Sequence, residues 1–325
     1  MTVLVTGAAG ELGIGLLRNL VSSKLYGLDL GSPKHWIPDS VTWIKGDITD
    51  SDFINRVFKE IRPTTVYHFA ALLSTAAEKN PLLAQKVNVE GSLNILNAAR
   101  DLSTTKNPVK VIFPSTIAVY GTSSIEPTEE DKFENPITMY GANKLYIEKL
   151  GVYYSRFFQL TDQNPEKPLI DFRAVRFPGL ISADTLPTGG TSDYAAEMVH
   201  AAARGEHYTC FVKPETVLPF MVMPDALRAI IELSEASTIN EERVFNVGAF
   251  SVSARQIEEK VRSFFPKFEV EYVPNPGRLQ IVDSWPRYLA DGRAKRVWGW
   301  KAKYDFDRAF DEYLISGLLK KAGNE

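Results

Sequence analysis

The sequence predicts an α/β protein: a doubly wound parallel sheet, followed by a smaller region that covers a substrate. Three observations predict it. Short apolar strands alternate with amphipathic helices through the first half of the chain. The first strand runs directly into a glycine-marked turn and a helix. After residue 177 the alternation becomes irregular, and glycine- and proline-marked segments take over.

At 325 residues the chain exceeds the length over which one hydrophobic core keeps growing. Residues 1–177 therefore read as one domain, with part of 210–250 returning to it, and 178–325 mainly as the substrate-binding region. A composition of 44% hydrophobic and 24% charged residues is that of an ordinary globular protein. A net charge of -3 gives no electrostatic reason to expect nucleic acid or an anionic membrane as partner. No apolar run approaches the ~20 residues of a membrane span. The single cysteine, Cys210, excludes an internal disulfide framework and a multi-cysteine zinc site, so no metal is expected. Within Tyr-Thr-Cys-Phe-Val it reads as a buried strand thiol. The chain opens on a strand with no basic, apolar leader, so the cytoplasm is the expected compartment, with the mitochondrial matrix open for a eukaryotic source.

Residues 2–6 form the first strand, and Gly7-Ala-Ala-Gly10-Glu11-Leu12-Gly13 leads into a helix ending near Leu20. Glycines allow the tight turn and let backbone N–H groups of this stretch and the helix N-terminus approach a pyrophosphate. The second strand, Lys24–Leu30, carries Asp29 near its end. An acid there accepts hydrogen bonds from a ribose 2′-OH and repels a 2′-phosphate, and no arginine follows closely. Loop and acid together predict a Rossmann-type unit that takes NAD rather than NADP. A glycine turn with a surface aspartate is the plainer alternative.

Val41–Lys45 is the third strand, followed by Gly46-Asp47-Ile48. Asp47 faces the ligand crevice of an open α/β sheet and is assigned, with Ile48, to the adenine side, or else it caps the next helix. Asp50 or Ser51 suits the N-cap of helix Phe53–Ile61. Strand Thr65–Phe69 runs into Ala70-Ala71, small residues that let a flat cofactor pass close to the backbone, with Phe69 beside them. His68 reads as a packed strand histidine, since no second ligand stands at metal-binding spacing. Asn80-Pro81 starts a helix that runs to about Leu102 and carries Asn88. A mid-helix asparagine is disfavoured without a partner, which points to a buried polar role.

Strand Val109–Phe113 ends in Pro114-Ser115-Thr116, on the sheet edge that also carries the glycine loop. Ser115 therefore points at the place where Tyr140 arrives on the helix Thr138–Leu160. Tyr140 and Lys144, four residues apart, share a helix face. An ammonium near a phenol favours the phenolate, turning an ordinary tyrosine (pKa ~10) into a base able to take an alcohol proton. Tyr-x-x-x-Lys also arises by chance, and a helical tyrosine often only packs.

Thr161–Lys167 is a polar loop, and strand Leu169–Phe177 enters Pro178-Gly179. The connection through Leu186-Pro-Thr-Gly-Gly190-Thr-Ser-Asp-Tyr194 is long enough to expect a function for it. Beyond lie helix Asp193–Arg204, strand Tyr208–Val212, helix Pro224–Ala236 and strand Val244–Val247. Ser253-x-x-Gln256 is a capping box for helix 254–265. Strand Phe268–Val273, the segment Asp283-Ser-Trp285-Pro286 and a terminal helix from about Asp305 complete the chain.

Thr6-Gly7-x-x-Gly10-x-x-Gly13, Asp29, Gly46-Asp47, Asn88, Ser115 and Tyr140-x-x-x-Lys144 together resemble the extended short-chain dehydrogenase/reductases. Further stretches resemble the NAD-dependent, epimerase-like L-threonine 3-dehydrogenases within that group. They include Pro114-Ser-Thr-Ile-Ala-Val-Tyr-Gly121, Arg176-Phe-Pro-Gly179, Gly189-Gly-Thr-Ser-Asp-Tyr-Ala195, Asp283-Ser-Trp-Pro286 and Trp298-Gly-Trp300. The loop before Leu169 is longer than in that group, and Arg287-Tyr-Leu-Ala-Asp-Gly-Arg293 is more basic.

What the resemblance implies is oxidation of a secondary alcohol of a small amino acid, with hydride passing to NAD. Tyr140 would take the proton, Lys144 would hold the nicotinamide ribose, and Ser115, with Thr116, would orient the hydroxyl. Phe177 and Pro178 would fix the nicotinamide face. Ser74, Gly179, Thr191, Ser192 and Asp193 are substrate-binding candidates. Asp193 is the ammonium partner or a first-turn helix charge, and Trp285 is a pocket wall or a core residue. A homodimer built on the helices Pro81–Leu102 and Thr138–Leu160 is implied as well. Two other functions remain on the same scaffold: a nucleotide-sugar epimerase or dehydratase, and a protein that senses NAD without turnover.

Overall fold

The computed structural model describes all residues except 21–23, 34–35, 122–126, 160, 162–168, 188–189, 238, 240 and 323–325. The expected helix end at Leu160, most of the Thr161–Lys167 loop and Gly189 lie outside the described residues. The chain divides into two compact units of similar size. The first comprises Met1–Ser115, Met139–Val175 and Ile230–Val244, and the second comprises Thr116–Thr138, Arg176–Ala229 and Phe245–Glu325.

In the first unit β1 (Thr2–Thr6), α1 (Glu11–Asn19), β2 (Lys24–Asp29), β3 (Val41–Lys45), α2 (Ser51–Ile61) and β4 (Thr65–His68) follow in order. Next come α3 (Ser74–Lys79), α4 (Pro81–Ala84), α5 (Ser92–Leu102), β5 (Lys110–Thr116), α6 (Met139–Val152) and β6 (Asp171–Phe177). Every residue of β4 is buried, as expected of a strand covered on both faces of a parallel sheet. Asp50 caps α2 by accepting the Phe53 N–H at 2.9 Å.

The seven-stranded sheet has the order β10-β6-β5-β4-β1-β2-β3, with β10 formed by Val244–Asn246. β1 pairs in parallel with β2 on one side and with β4 on the other. The chain therefore winds outward in both directions from β1 and β4, and the ligand crevice of such a sheet opens at the carboxyl ends of those strands. This is the doubly wound sheet the sequence predicts.

The helix expected over Pro81–Leu102 is helical throughout, but Gln85–Gly91 adopts π-helical geometry between α4 and α5. The wider turn accompanies a buried Asn88, whose side chain engages the backbone of Leu72. α6 likewise ends in a π-helical turn, Tyr153–Phe157.

The second unit holds β7 (Gly179–Ile181), α7 (Tyr194–Ala203), β8 (Tyr208–Cys210) and β9 (Val217–Val222). β11 (Phe250–Ser253), α9 (Ala254–Phe264), β12 (Val270–Tyr272) and α10 (Pro276–Asp283) follow. α8 (Met223–Glu235) leads the chain back toward the first unit, and α11 (Gly292–Trp298), α12 (Phe306–Arg308) and α13 (Ile315–Ala322) close it. β11-β9-β7 form a three-stranded sheet and β12-β8 a two-stranded one, so this region is more regular than its sequence suggests. The capping box at Ser253 and Gln256 is present with both of its hydrogen bonds.

Candidate active site

The first unit carries most of the residues expected to hold a dinucleotide, Phe177 and Pro178 excepted. Gly7 has φ +67°, and a Cβ there would stand 2.5 Å from the Ala70 N. A Cβ on Gly13 would stand 2.4 Å from the Gly7 carbonyl oxygen. Only glycine fits at either position, because the loop is folded tightly between β4 and the start of α1. No side chain caps α1 at Gly10, which leaves its N-terminus suited to an anion. Glu11 is exposed and Leu12 half-buried there.

Asp29 ends β2. Its carboxylate accepts the Ala9 N–H at 3.0 Å and the Gly31 N–H at 2.9 Å, one on each oxygen. Each oxygen keeps a lone pair for a ribose hydroxyl. Asp47 is exposed and accepts the Thr49 N–H at 2.8 Å, while Asp50 caps the helix. The Ile48 side chain is buried in the core, and its carbonyl accepts from Asn94. Phe69, Ala70 and Ala71 are half-buried just past β4.

Asn88 is buried, and its amide matches the Leu72 backbone on both sides: Oδ1 accepts from the N–H at 2.7 Å and Nδ2 donates to the carbonyl at 3.0 Å. Nδ2 also reaches Asn143 Oδ1 at 3.4 Å. Asn88 thus binds the stretch leaving β4 and meets the helix that carries Tyr140. Ser74 is the first residue of α3.

The start of α6 is held by Glu78, whose Oε1 accepts the Met139 N–H at 2.6 Å. Lys144 is buried, and its Nζ donates to the Pro114 carbonyl at 2.7 Å. The same Nζ lies 4.3 Å from the Phe113 ring centroid and 5.6 Å from that of Tyr140. Lys144 is therefore anchored on the strand residue next to Ser115. The Ser115 Oγ is buried with no hydrogen-bond partner among the described residues. Buried hydroxyls are ordinarily paired, so this one is suited to a bound molecule. Ser115 lies within β5 rather than past its end, and the Thr116 hydroxyl accepts the Ala118 N–H at 3.1 Å.

The electrostatics differ from the sequence expectation. Burial pushes the Lys144 ammonium down to about 7, opposed by the nearby Glu148 carboxylate. Burial likewise pushes the Tyr140 phenol above its ordinary value. In the protein alone the ammonium is committed to the Pro114 carbonyl, and desolvation governs both groups.

In the second unit Phe177, Pro178 and Gly179 are buried. A Cβ on Gly179 would meet the Phe220 ring at 2.6 Å and Ser192 Cβ at 3.3 Å, so Gly179 and Ser192 are neighbours. Thr191 is buried, and Asp193 Oδ2 accepts the Gly190 N–H at 2.6 Å. Arg278 donates to the Gly190 carbonyl at 2.6 Å, with its guanidinium 3.3 Å from the Phe211 ring centroid. Trp285 is 5% exposed, and its indole N–H has no hydrogen-bond partner among the described residues.

Glu78 and Arg278 went unmarked in the sequence. Each works through a backbone group far along the chain and carries no local motif. Among the described residues no group of three or more His, Cys, Asp or Glu side chains could hold a metal ion, and no helix is long and apolar enough to cross a membrane.

The model of the NAD dependent epimerase/dehydratase family matches residues 3–248. The chain belongs to that family. Its glycine loop, uncapped α1 and Asp29 fit the cofactor that the family's description names. The curated bovine protein named L-threonine 3-dehydrogenase, mitochondrial, is 34% identical over 99% of this chain and 83% of its own length. Among solved structures, L-threonine dehydrogenase from Clostridium difficile matches this family member with a TM-score of 0.88 and 33% identity, covering 98% of each chain. A monomeric L-threonine 3-dehydrogenase from a metagenome matches with a TM-score of 0.86 and 35% identity, over 98% of this chain and 99% of the other.

Proposed function

We propose that the protein oxidises the 3-hydroxyl of L-threonine to 2-amino-3-oxobutanoate, with NAD as acceptor. The observation that carries the reading is the end-to-end likeness to L-threonine dehydrogenases, 98% of both chains in the Clostridium difficile case. Such coverage includes the region after residue 177, where substrate specificity is expected to lie.

In this mechanism Ser115, with its unpartnered hydroxyl, orients the substrate hydroxyl. Tyr140 receives the hydroxyl proton while the C–H bond gives up its hydride and a ketone forms. Lys144 would hold the nicotinamide ribose and would stabilise the phenolate once charge develops on it. NAD, when bound, supplies the hydride acceptor and a positive charge that favours an ionised Tyr140. Gly7, Gly10, Glu11, Leu12, Gly13, Asp29, Asp47, Ile48, Phe69, Ala70, Ala71, Asn88, Phe177 and Pro178 form the proposed cofactor contacts. Thr116, Ser74, Gly179, Thr191, Ser192, Asp193 and Trp285 are proposed for the substrate.

A homodimer is proposed through the helices around residues 81–102 and 139–157. Its support is apolar surface: Leu82, Leu83, Tyr146, Tyr153 and Phe157 are all exposed. Gel filtration decides between dimer and monomer. The proposed compartment is the cytoplasm, or the mitochondrial matrix for a eukaryotic source, and cell fractionation tests it.

The functional test is absorbance of reduced nicotinamide with NAD and L-threonine. Net reduction supports the reading. Turnover of a UDP-sugar without net reduction would replace it with the epimerase or dehydratase reading, and inertness to both with NAD sensing.

A further inference from the structure

The ends of β1 and β4 are joined by side chains as well as by the backbone ladder. Thr6, the last residue of β1, directly precedes the glycine loop, and its Oγ1 lies 2.7 Å from His68 Nδ1. Thr6 Oγ1 also accepts the Ala70 N–H at 3.4 Å. Across the ring, His68 Nε2 lies 2.8 Å from Ser92 Oγ, and the Ser92 hydroxyl donates to the Asn88 carbonyl at 2.6 Å.

This network fixes the tautomer. A serine hydroxyl has one proton, and Ser92 gives it to Asn88, so Ser92 Oγ must accept from the ring. Nε2 therefore carries the proton and Nδ1 does not. Nδ1 then accepts the Thr6 hydroxyl proton, leaving a lone pair on Thr6 for the Ala70 N–H. The polarity is continuous from Ala70 through Thr6, His68 and Ser92 to the Asn88 carbonyl.

Three further facts keep the ring neutral and in place. His68 is 2% exposed, and burial pushes its pKa down to about 3, with repulsion from the Lys144 ammonium adding to the fall. Its ring stacks on Phe113 at 6.1 Å, and Phe113 also receives the Lys144 ammonium. Protonation at Nδ1 would reverse the bond to Thr6, leave the buried Thr6 hydroxyl proton without its acceptor and set two cations on one aromatic ring. Of the residues at the two ends of the network, Ala70 lies just past the carboxyl end of β4 and Asn88 holds the backbone of Leu72 beyond it. A Cβ on Gly7 would already collide with Ala70, so the gap between the two loops tolerates little change.

We propose that neutral His68, acting through Thr6 and Ser92, is the positioning residue that sets the spacing between the glycine loop and the segment after β4, and thereby the affinity for NAD. It touches no reacting atom. The inference rests on the family's cofactor and not on which alcohol is oxidised, so direct NAD binding tests it separately from L-threonine turnover.

His68→Phe keeps an aromatic ring and removes both ring nitrogens. In fluorescence titration its Kd for NAD is expected to rise about tenfold, while kcat at saturating NAD stays within about threefold of the parent's. Should that variant fail to fold by circular dichroism, Thr6→Val carries the test, since it deletes one hydroxyl at equal shape. Its Kd is expected to rise by at least about threefold. In the unaltered protein, ¹⁵N spectra of labelled histidine should place the proton on Nε2 from pH 5 to 8. An unchanged NAD Kd in a folded variant, a fall in kcat with no change in Kd, or a proton on Nδ1 overturns the proposal.

Discussion

In the first unit the buried network around β1 and β4 is neutral, built from Thr6, His68, Ser92 and Asn88, whereas the network joining Tyr120, Glu130 and Glu134 to Arg176 in the second unit is charged. There Arg176, 1% exposed, donates to the Tyr120 hydroxyl at 2.9 Å, the Glu130 carbonyl at 2.6 Å and Glu134 Oε1 at 2.5 Å. Tyr120 passes its own proton to Asn246, whose backbone N–H reaches Glu130 Oε1 at 3.0 Å. Burial pushes the Glu130 carboxyl up, opposed by Asn246 and by the Arg293 and Arg176 guanidiniums. A neutral network sets geometry at modest energetic stake. A charged one ties distant segments together and is costly to break, because each survivor is a charge without its partner. The expectation is that changes in the neutral network alter binding more than folding, and that changes in the charged network alter folding most.

The largest effect that would break this contrast is on stability. Arg176→Met strands Glu134 and the bonds to Tyr120, and should cost about 3–5 kcal/mol in denaturant unfolding at unchanged m-value. A loss below about 1 kcal/mol would mean that the charged network does not hold its unit together.

The second prediction sharpens the neutral side through pH. The folded pKa of His68, about 3, lies below its ordinary 6.5. Between those values the unfolded chain binds the extra proton, so the His68 contribution falls as pH drops from 6.5 toward 3. The slope is about 1.4 kcal/mol per pH unit. His68→Phe lacks that slope, so the stability gap between parent and variant should narrow on acidification in melts at pH 7 and pH 5. A constant gap would contradict a neutral buried ring.

Smaller effects follow. Asp29→Asn keeps the shape but removes the charge and one of two acceptors, and should weaken NAD about tenfold while relaxing discrimination against NADP. Isothermal titration with both cofactors measures it. Glu78→Gln keeps an acceptor at Met139 but removes the negative charge from the N-terminus of α6, worth about 0.3–1 kcal/mol in thermal unfolding.

The parts of the molecule legible in the sequence are those whose signals are contiguous. The glycine loop between β1 and α1, Asp29 at the end of β2, and the shared face of Tyr140 and Lys144 each follow from spacing alone. Asn88 was legible as a buried polar group, but its partner Leu72 was not, because sixteen residues and a change of element separate them. The π-helical stretch at 85–91 left no mark, since the apolar period around it fits an ordinary helix. β9 was missed because Pro219 argues against a strand, although in fact it pairs there with Ser251. α10 carried the same Asn-Pro start as the helix at residue 81, and Asn275 does cap it by accepting from Arg278. That signal is contiguous in the sequence and readable there. The His68 network was beyond reach, because Thr6 and Ser92 lie 62 and 24 residues away from it.

The most direct test of the proposed chemistry is Tyr140→Phe, assayed for NAD binding and L-threonine turnover in one preparation. Loss of the proton acceptor with the ring retained should lower kcat by ~10²–10⁴ and leave the NAD Kd close to the parent's. Turnover near the parent rate would remove Tyr140 from the reaction and overturn the mechanism.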